Sequence, residues 1–158
     1  MLDGRRPAPD HAFARTLREL ESGSGVWAGS LAPDRERLEA FAEICCRLRS
    51  RGIRTIVFLP PLATPVLGAL ADRNGGDAGW LSALRQGLLD CGVESMDFSD
   101  PRVYGSGDCE MMDGLHGGDV IGASLVRDMG DRQPWLRDML HREYLSHVLR
   151  ERRGLAAV

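Results

Sequence analysis

From Arg35 onward the apolar positions fall into a readable rhythm. Leu38, Phe41, Cys45 and Leu48 recur at three-to-four spacing, the stripe of an amphipathic helix. Asp34 stands where an N-cap belongs and Gly52 where such a helix stops. The next segment, IRTIVFLPP, holds a β-branched run from Ile53 to Leu59 closed by two prolines. That composition predicts a buried strand running out into a loop. Leu81, Leu84 and Leu88 predict a second helix after Asp77, ended at Cys91-Gly92, and VESMDF (Val93–Phe98) a second strand. A long polar loop follows to Gly118. Asp119 is placed to cap a third helix carrying Val120, Ala123, Ser124 and Met129. Pro134 opens a last helix with Leu136, Leu140, Tyr144 and Val148 on one face. Ahead of Asp34 the pattern is poorer. Residues 1–10 read as a flexible arm, His11–Leu20 as a short helix and SGSGVWAGS as a Gly/Ser loop.

Helix, strand, helix, strand, helix is the alternation of an α/β unit with a parallel sheet. The expected fold class is therefore α/β, three-layer and flavodoxin-like, with a sheet incomplete on its N-terminal side. Two strands stand where a doubly wound domain has about five. The expected organisation is an arm, short helix and Gly/Ser loop over 1–33, one α/β domain over 34–153, and a frayed tail over 154–158.

Length, charge and cysteine usage narrow the classes. The 158 residues fit one domain with a single core. A net charge of -3 gives no general attraction to nucleic acid or to an anionic membrane. No segment approaches the roughly 18 apolar residues of a membrane span. MLDGRRPAPD at the start lacks the apolar run of a signal peptide, so the expected address as the sequence stands is cytoplasmic. Cys45 and Cys46 are adjacent, Cys91 and Cys109 stand alone, and no C-x-x-C pair occurs, so reduced thiols are expected.

In open α/β sheets ligands sit beyond the carboxyl ends of the strands. Two loops qualify: PPLATP after the first strand and SDPRVYGSGDCEMMDGLHGG after the second. The second contains Asp113 and His116. A histidine so placed acts as general base when a carboxylate holds its other ring nitrogen. The plain alternative is a glycine-rich turn with Asp113 as a local cap. A metal set of Asp113, His116 and Asp119 with Cys109 lacks a familiar zinc spacing, so no metal and no cofactor are expected. Asn74 belongs to an Asn-Gly-Gly turn. His11, His141 and His147 read as solvated, and Arg150, Arg152 and Arg153 as a solvated basic end. Trp80 and Trp135 read as packing residues, and Trp27 as the tryptophan to test for ligand contact.

The order of these blocks adds something the turn alone does not. A strand ending in FLPP, a helix, then CGVESMDF, then MDGLHGGD before a helix resembles the C-terminal half of SGNH-type (GDSL-like) hydrolases. The nearest branches are the alginate O-acetyltransferase-like and D-alanyl-transfer-protein-like ones, and the resemblance runs over roughly residues 34–130. It implies an esterase or O-acyltransferase acting on an acylated carbohydrate or another small-molecule ester, in the cell envelope. His116 would be the base and Asp113 its orienter. Two family features are missing. No Gly-Asp-Ser block occurs, and Ser22, Ser24 and Ser30 follow no β-branched run; Ser30, in Ala-Gly-Ser, is the closest substitute for the nucleophile. PPLATP offers no asparagine for an oxyanion hole. The second expectation is therefore a truncated or degenerate non-catalytic module that binds a ligand, a second copy or a partner chain, since an incomplete sheet leaves an unpaired edge.

Overall fold

The computed structural model describes residues 11–28, 34–73 and 79–154. The arm over 1–10, Ser30, the Asn74 turn, the Asp77 cap and the end of the tail lie outside the described residues. Among the described residues seven α-helices and two strands follow one another: α1 Ala14–Ser22, α2 Arg35–Ser50, β1 Val57–Leu59, α3 Thr64–Arg73, α4 Gly79–Asp90, β2 Ser95–Asp97, α5 Asp119–Arg132, α6 Pro134–Arg137 and α7 Arg142–Glu151. Short 3-10 turns at Pro101–Tyr104 and Asp108–Glu110 lie between β2 and α5.

The expected three-layer α/β fold is not what forms. Of the described residues 65% are helical and 6% lie in strands, and the sheet is a ribbon of two parallel strands. Val57 pairs with Ser95, Phe58 with Met96 and Leu59 with Asp97. The strands fall inside the stretches expected for them, but each keeps only three residues. Pro60 and Pro61 end β1, because proline has no N–H to give a ladder. The described residues ahead of α2 form helix and 3-10 turn, so they contribute no strand.

Helices cover both faces of the ribbon. On one, Cys45 of α2, Leu88 of α4 and Val93 enclose Val57. On the other, Met96 and Phe98 join Val66 of α3, Tyr104, Met111, and Ile121, Leu125 and Met129 of α5 in the main core. Phe98 meets the rings of Phe58 and Tyr104 edge-on at 6.3 and 5.6 Å. Burial raises the Tyr104 phenol well above its ordinary range, so it stays neutral in this core. A third cluster joins Val120 and Ala123 of α5 to Val148 and Leu149 of α7.

Several local expectations change. Asp34 does cap α2, its Oδ1 accepting from the Arg37 N–H at 3.3 Å. Phe41, assigned to the buried stripe, is 43% exposed. Thr64 and Pro65, the end of the expected PPLATP loop, instead open helix α3, which continues through residues the sequence pattern left unassigned. The single last helix is two, because His141 leaves helical geometry and caps α7 through its Nδ1, which accepts from the Tyr144 N–H at 3.1 Å. Tyr144 is consequently exposed, and the buried side of α7 is Val148 and Leu149 with Leu145 beside them. Gly118, not Asp119, holds the N-cap position of α5. Cys46 and Cys91 form a disulfide, with Cα atoms 5.5 Å apart, where free thiols were expected. That separation is an ordinary one for a bridge. The bridge joins α2 to the residue just after α4. Cys45 is free and buried, and Cys109 free and exposed.

Candidate active site

The loops after β1 and β2 are stitched together at the carboxyl end of the ribbon. Leu62 N–H donates to Ser99 O at 2.9 Å, and Ala63 N–H to Gly114 O at 3.1 Å. Asp108 accepts from the Thr64 backbone N–H at 2.8 Å and from the Thr64 hydroxyl, so it caps the start of α3. Glu110 is buried, and its two carboxylate oxygens accept from the N–H groups of Gly107 at 3.3 Å and Gly154 at 2.9 Å. It thereby ties the chain beyond α7 to this loop. Sequence reading missed Asp108 and Glu110, whose partners Thr64 and Gly154 each lie 44 residues away.

On that base residues 110–118 close into a narrow hairpin. Gly118 N–H donates to Glu110 O and Met112 N–H to His116 O, both at 2.8 Å, with a bridge between Met111 and Gly117. Asp113–His116 is the tip. Asp113 Oδ1 accepts from the backbone N–H groups of Leu115 and His116, each at 2.8 Å. The same carboxylate lies 2.9 Å from His116 Nδ1 through both oxygens. The local-cap reading and the base-and-orienter reading are therefore both true of one side chain.

The glycines of this motif answer to close neighbours. A Cβ on Gly114 would stand 2.5 Å from Thr16 Cγ2, because α1 crosses directly over the tip. One on Gly117 would stand 2.4 Å from Ile121 Cγ2 of α5. From α1, Arg15 brings its guanidinium to 3.9 Å from Asp113 Oδ2.

An ionised Asp113 can only accept, so His116 Nδ1 must carry the hydrogen, and in the neutral ring Nε2 is then the nitrogen with the lone pair. The Asp113 side chain is 16% exposed and the His116 side chain 70%, which leaves the basic nitrogen in reach of solvent and ligand. Burial pushes the Asp113 carboxyl upward, but the bonds from Leu115 N–H and from the His116 ring and N–H outweigh it and hold it below its ordinary value. A carboxyl depressed in the folded state stabilises the fold above its unfolded pKa of about 3.9, and that contribution is lost as pH falls through the lower folded value. Chemical denaturation should thus show wild type more stable than Asp113→Asn near about pH 7, with the gap closing below about pH 4. A gap that persists unchanged in acid would mean that the loss is not electrostatic.

Beside the tip an apolar groove of about 450 Å³ runs between α5 and α7, lined by Met112, Gly117, Val126, Tyr144, Leu145 and Val148. At its end Asp119 pairs with Arg152.

Ser30 is outside the described residues. Ser22 bonds to Arg18 O and to Ser24, Ser99 to Asp97, and Ser106 to Ser124. Among the described residues no serine hydroxyl is hydrogen-bonded to His116, and no three His, Cys, Asp or Glu side chains form a metal-holding group. Trp27 is half-buried against the main core, and its indole N–H is buried and unbonded among the described residues. Among the described residues no helix is long and apolar enough to cross a membrane.

The fold and site together define an α-rich domain that presents an Asp–His pair on a hairpin tip at the end of a parallel ribbon. No protein-family model, no curated protein and no solved structure matches the chain.

Proposed function

We propose that the protein is an acyl-transfer module, an esterase or O-acyltransferase acting on an acylated carbohydrate, in which His116 is the general base and Asp113 its orienter. The observation that carries the reading is the 2.9 Å contact of both Asp113 oxygens with His116 Nδ1, made by a carboxylate already fixed by two backbone N–H groups. In this chemistry a hydroxyl attacks the ester carbonyl carbon and its proton passes to His116 Nε2. The ester C–O bond then breaks and the imidazolium returns the proton to the leaving alkoxide. Water or a second sugar hydroxyl repeats the sequence on the acyl intermediate, giving hydrolysis or transfer. Ser30 is the candidate for the first hydroxyl. The groove beside the tip suits the acyl group, and the carbohydrate rests on the sequence resemblance.

The disulfide between Cys46 and Cys91 supports an oxidising compartment, in keeping with the cell envelope rather than the cytoplasm. The second reading, a non-catalytic module that binds a ligand or partner chain, draws on two observations. No described serine bonds to His116, and the outer edges of the two-stranded ribbon pair with no strand among the described residues. A fluorophosphonate probe separates the two. Labelling of wild type that disappears in both His116→Ala and Ser30→Ala is expected. Wild type that stays unlabelled leaves the binding module.

A further inference from the structure

A second cavity lies at the end of the ribbon away from the Asp113–His116 tip. This cavity of about 210 Å³ opens at the amino ends of β1 and β2. Arg49 from the last turn of α2, Arg54 and Thr55 ahead of β1, Glu94 ahead of β2, and Gln133 and Trp135 at the α5–α6 junction line it. We infer that this cavity binds a small monocarboxylate carrying a hydroxyl or ammonium donor beside its carboxylate.

Three features lead there. The first is an ordered polar wall. Trp135 Nε1–H donates to Gln133 Oε1 at 3.0 Å, and the Gln133 amide donates in turn to Glu94 Oε2. This chain engages one oxygen of the exposed Glu94 carboxylate and leaves Oε1 able to accept. The second is a pair of available guanidinium groups. Arg54 stacks over the Trp135 ring, its Cζ 5.4 Å from the centroid, and neither Arg54 nor Arg49 has an ion-pair partner among the described residues. Stacking fixes the plane of the Arg54 guanidinium while leaving its N–H donors to a ligand. The third is the charge balance. Two guanidinium groups and one carboxylate leave a net positive charge of one, which suits a ligand whose net charge is zero or minus one, with any ammonium it carries facing Glu94. A phosphate monoester, near -1.5 to -2 at neutral pH, would face Glu94 with its extra charge.

A carboxylate fits the guanidinium fork with two parallel hydrogen bonds, and a neighbouring O–H or N–H meets Glu94 Oε1. The space equals about seven water molecules at roughly 30 Å³ each, enough for a molecule the size of lactate or glycine. The site lies at the other end of the ribbon from His116, so it stands whether or not the Asp113–His116 pair is catalytic.

Isothermal titration of the full chain with sodium lactate, glycine, sodium acetate and inorganic phosphate tests it. Lactate or glycine should bind saturably and change the tryptophan fluorescence, a change lost in Trp135→Phe. Acetate, which has no second donor, and phosphate should bind more weakly. Arg49→Gln and Arg54→Gln should each weaken binding by about tenfold or more, and Glu94→Gln should remove the preference over acetate. His116→Ala should bind as wild type does. The inference is overturned if none of the four ligands binds saturably. It is also overturned if the double arginine variant, melting as wild type does, keeps full affinity, or if phosphate binds tighter than lactate and glycine.

Discussion

His116→Ala is expected to lower the rate at which the protein hydrolyses p-nitrophenyl acetate by roughly 10²–10⁴-fold, the usual contribution of a positioned general base. An exposed imidazole hydrolyses activated esters slowly without any site, so the comparison that matters is with His147→Ala. His147 is exposed and His141 is occupied as the cap of α7. Replacing His147 should leave the rate unchanged. Asp113→Asn is expected to fall most of the way toward His116→Ala, because the amide no longer dictates which ring nitrogen carries the hydrogen. It also removes the acceptor that organises the tip, so its melting temperature must be measured beside its rate. Equal rates for wild type and His116→Ala would remove the catalytic role and leave Asp113 as a turn former. The half-buried carboxylate against the open imidazole is the arrangement a base needs: the partner is shielded and fixed while the working nitrogen faces out.

Why the turn was legible and the fold less so has a physical basis. MMDGLHGGDV displays its own constraints, since the Asp113 bonds span two and three residues. The flanking glycines read only as a turn, and the close approaches they permit were not visible in them. That the neighbours are Thr16 of α1 and Ile121 of α5 depends on contacts far along the chain. Asp108 capping α3 and Glu110 holding the chain beyond α7 are equally non-local, and a lone acid in a loop gives no hint of its partner. The strands were found in place, but the layered fold read from their alternation with helices did not form. Alternating helix and strand predicts a layered sheet only when enough strands exist to share edges. Here two short strands suffice because helices meet around them, with α5 packed against α6 and α7, and α2 against α4. The helix α3 was hidden by its prolines: Pro60, Pro61 and Pro65 suggested loop, yet proline is tolerated in the first turn of a helix. The cysteines misled for a different reason. Adjacent Cys45 and Cys46 point about 100° apart on a helix, so one enters the core while the other faces α4.

That second cysteine carries the other large effect. Replacing both Cys46 and Cys91 by alanine is expected to destabilise the protein by about 4 kcal/mol on the loop-entropy model, because the bridge closes a span of 45 residues. For a chain of this size the melting temperature would fall by roughly 8–16 °C. The cluster it fastens is small, with only Cys45, Leu88 and Val93 fully buried between α2 and α4, so little apolar packing compensates when the link is lost. Dithiothreitol should lower the melting temperature of wild type by a similar amount and leave the double variant unmoved. Cys45→Ala tests the alternative that any cysteine lost from this cluster costs packing alone: it should melt lower but keep its response to the reductant. If reductant moves neither wild type nor Cys45→Ala, the thiols are free and the support for an oxidising compartment is gone. The His116-dependent ester hydrolysis should survive reduction wherever the chain is still folded. The bridge holds helices on the α2–α4 face, whereas the Asp113–His116 tip is fixed by the loops, α1 and α5.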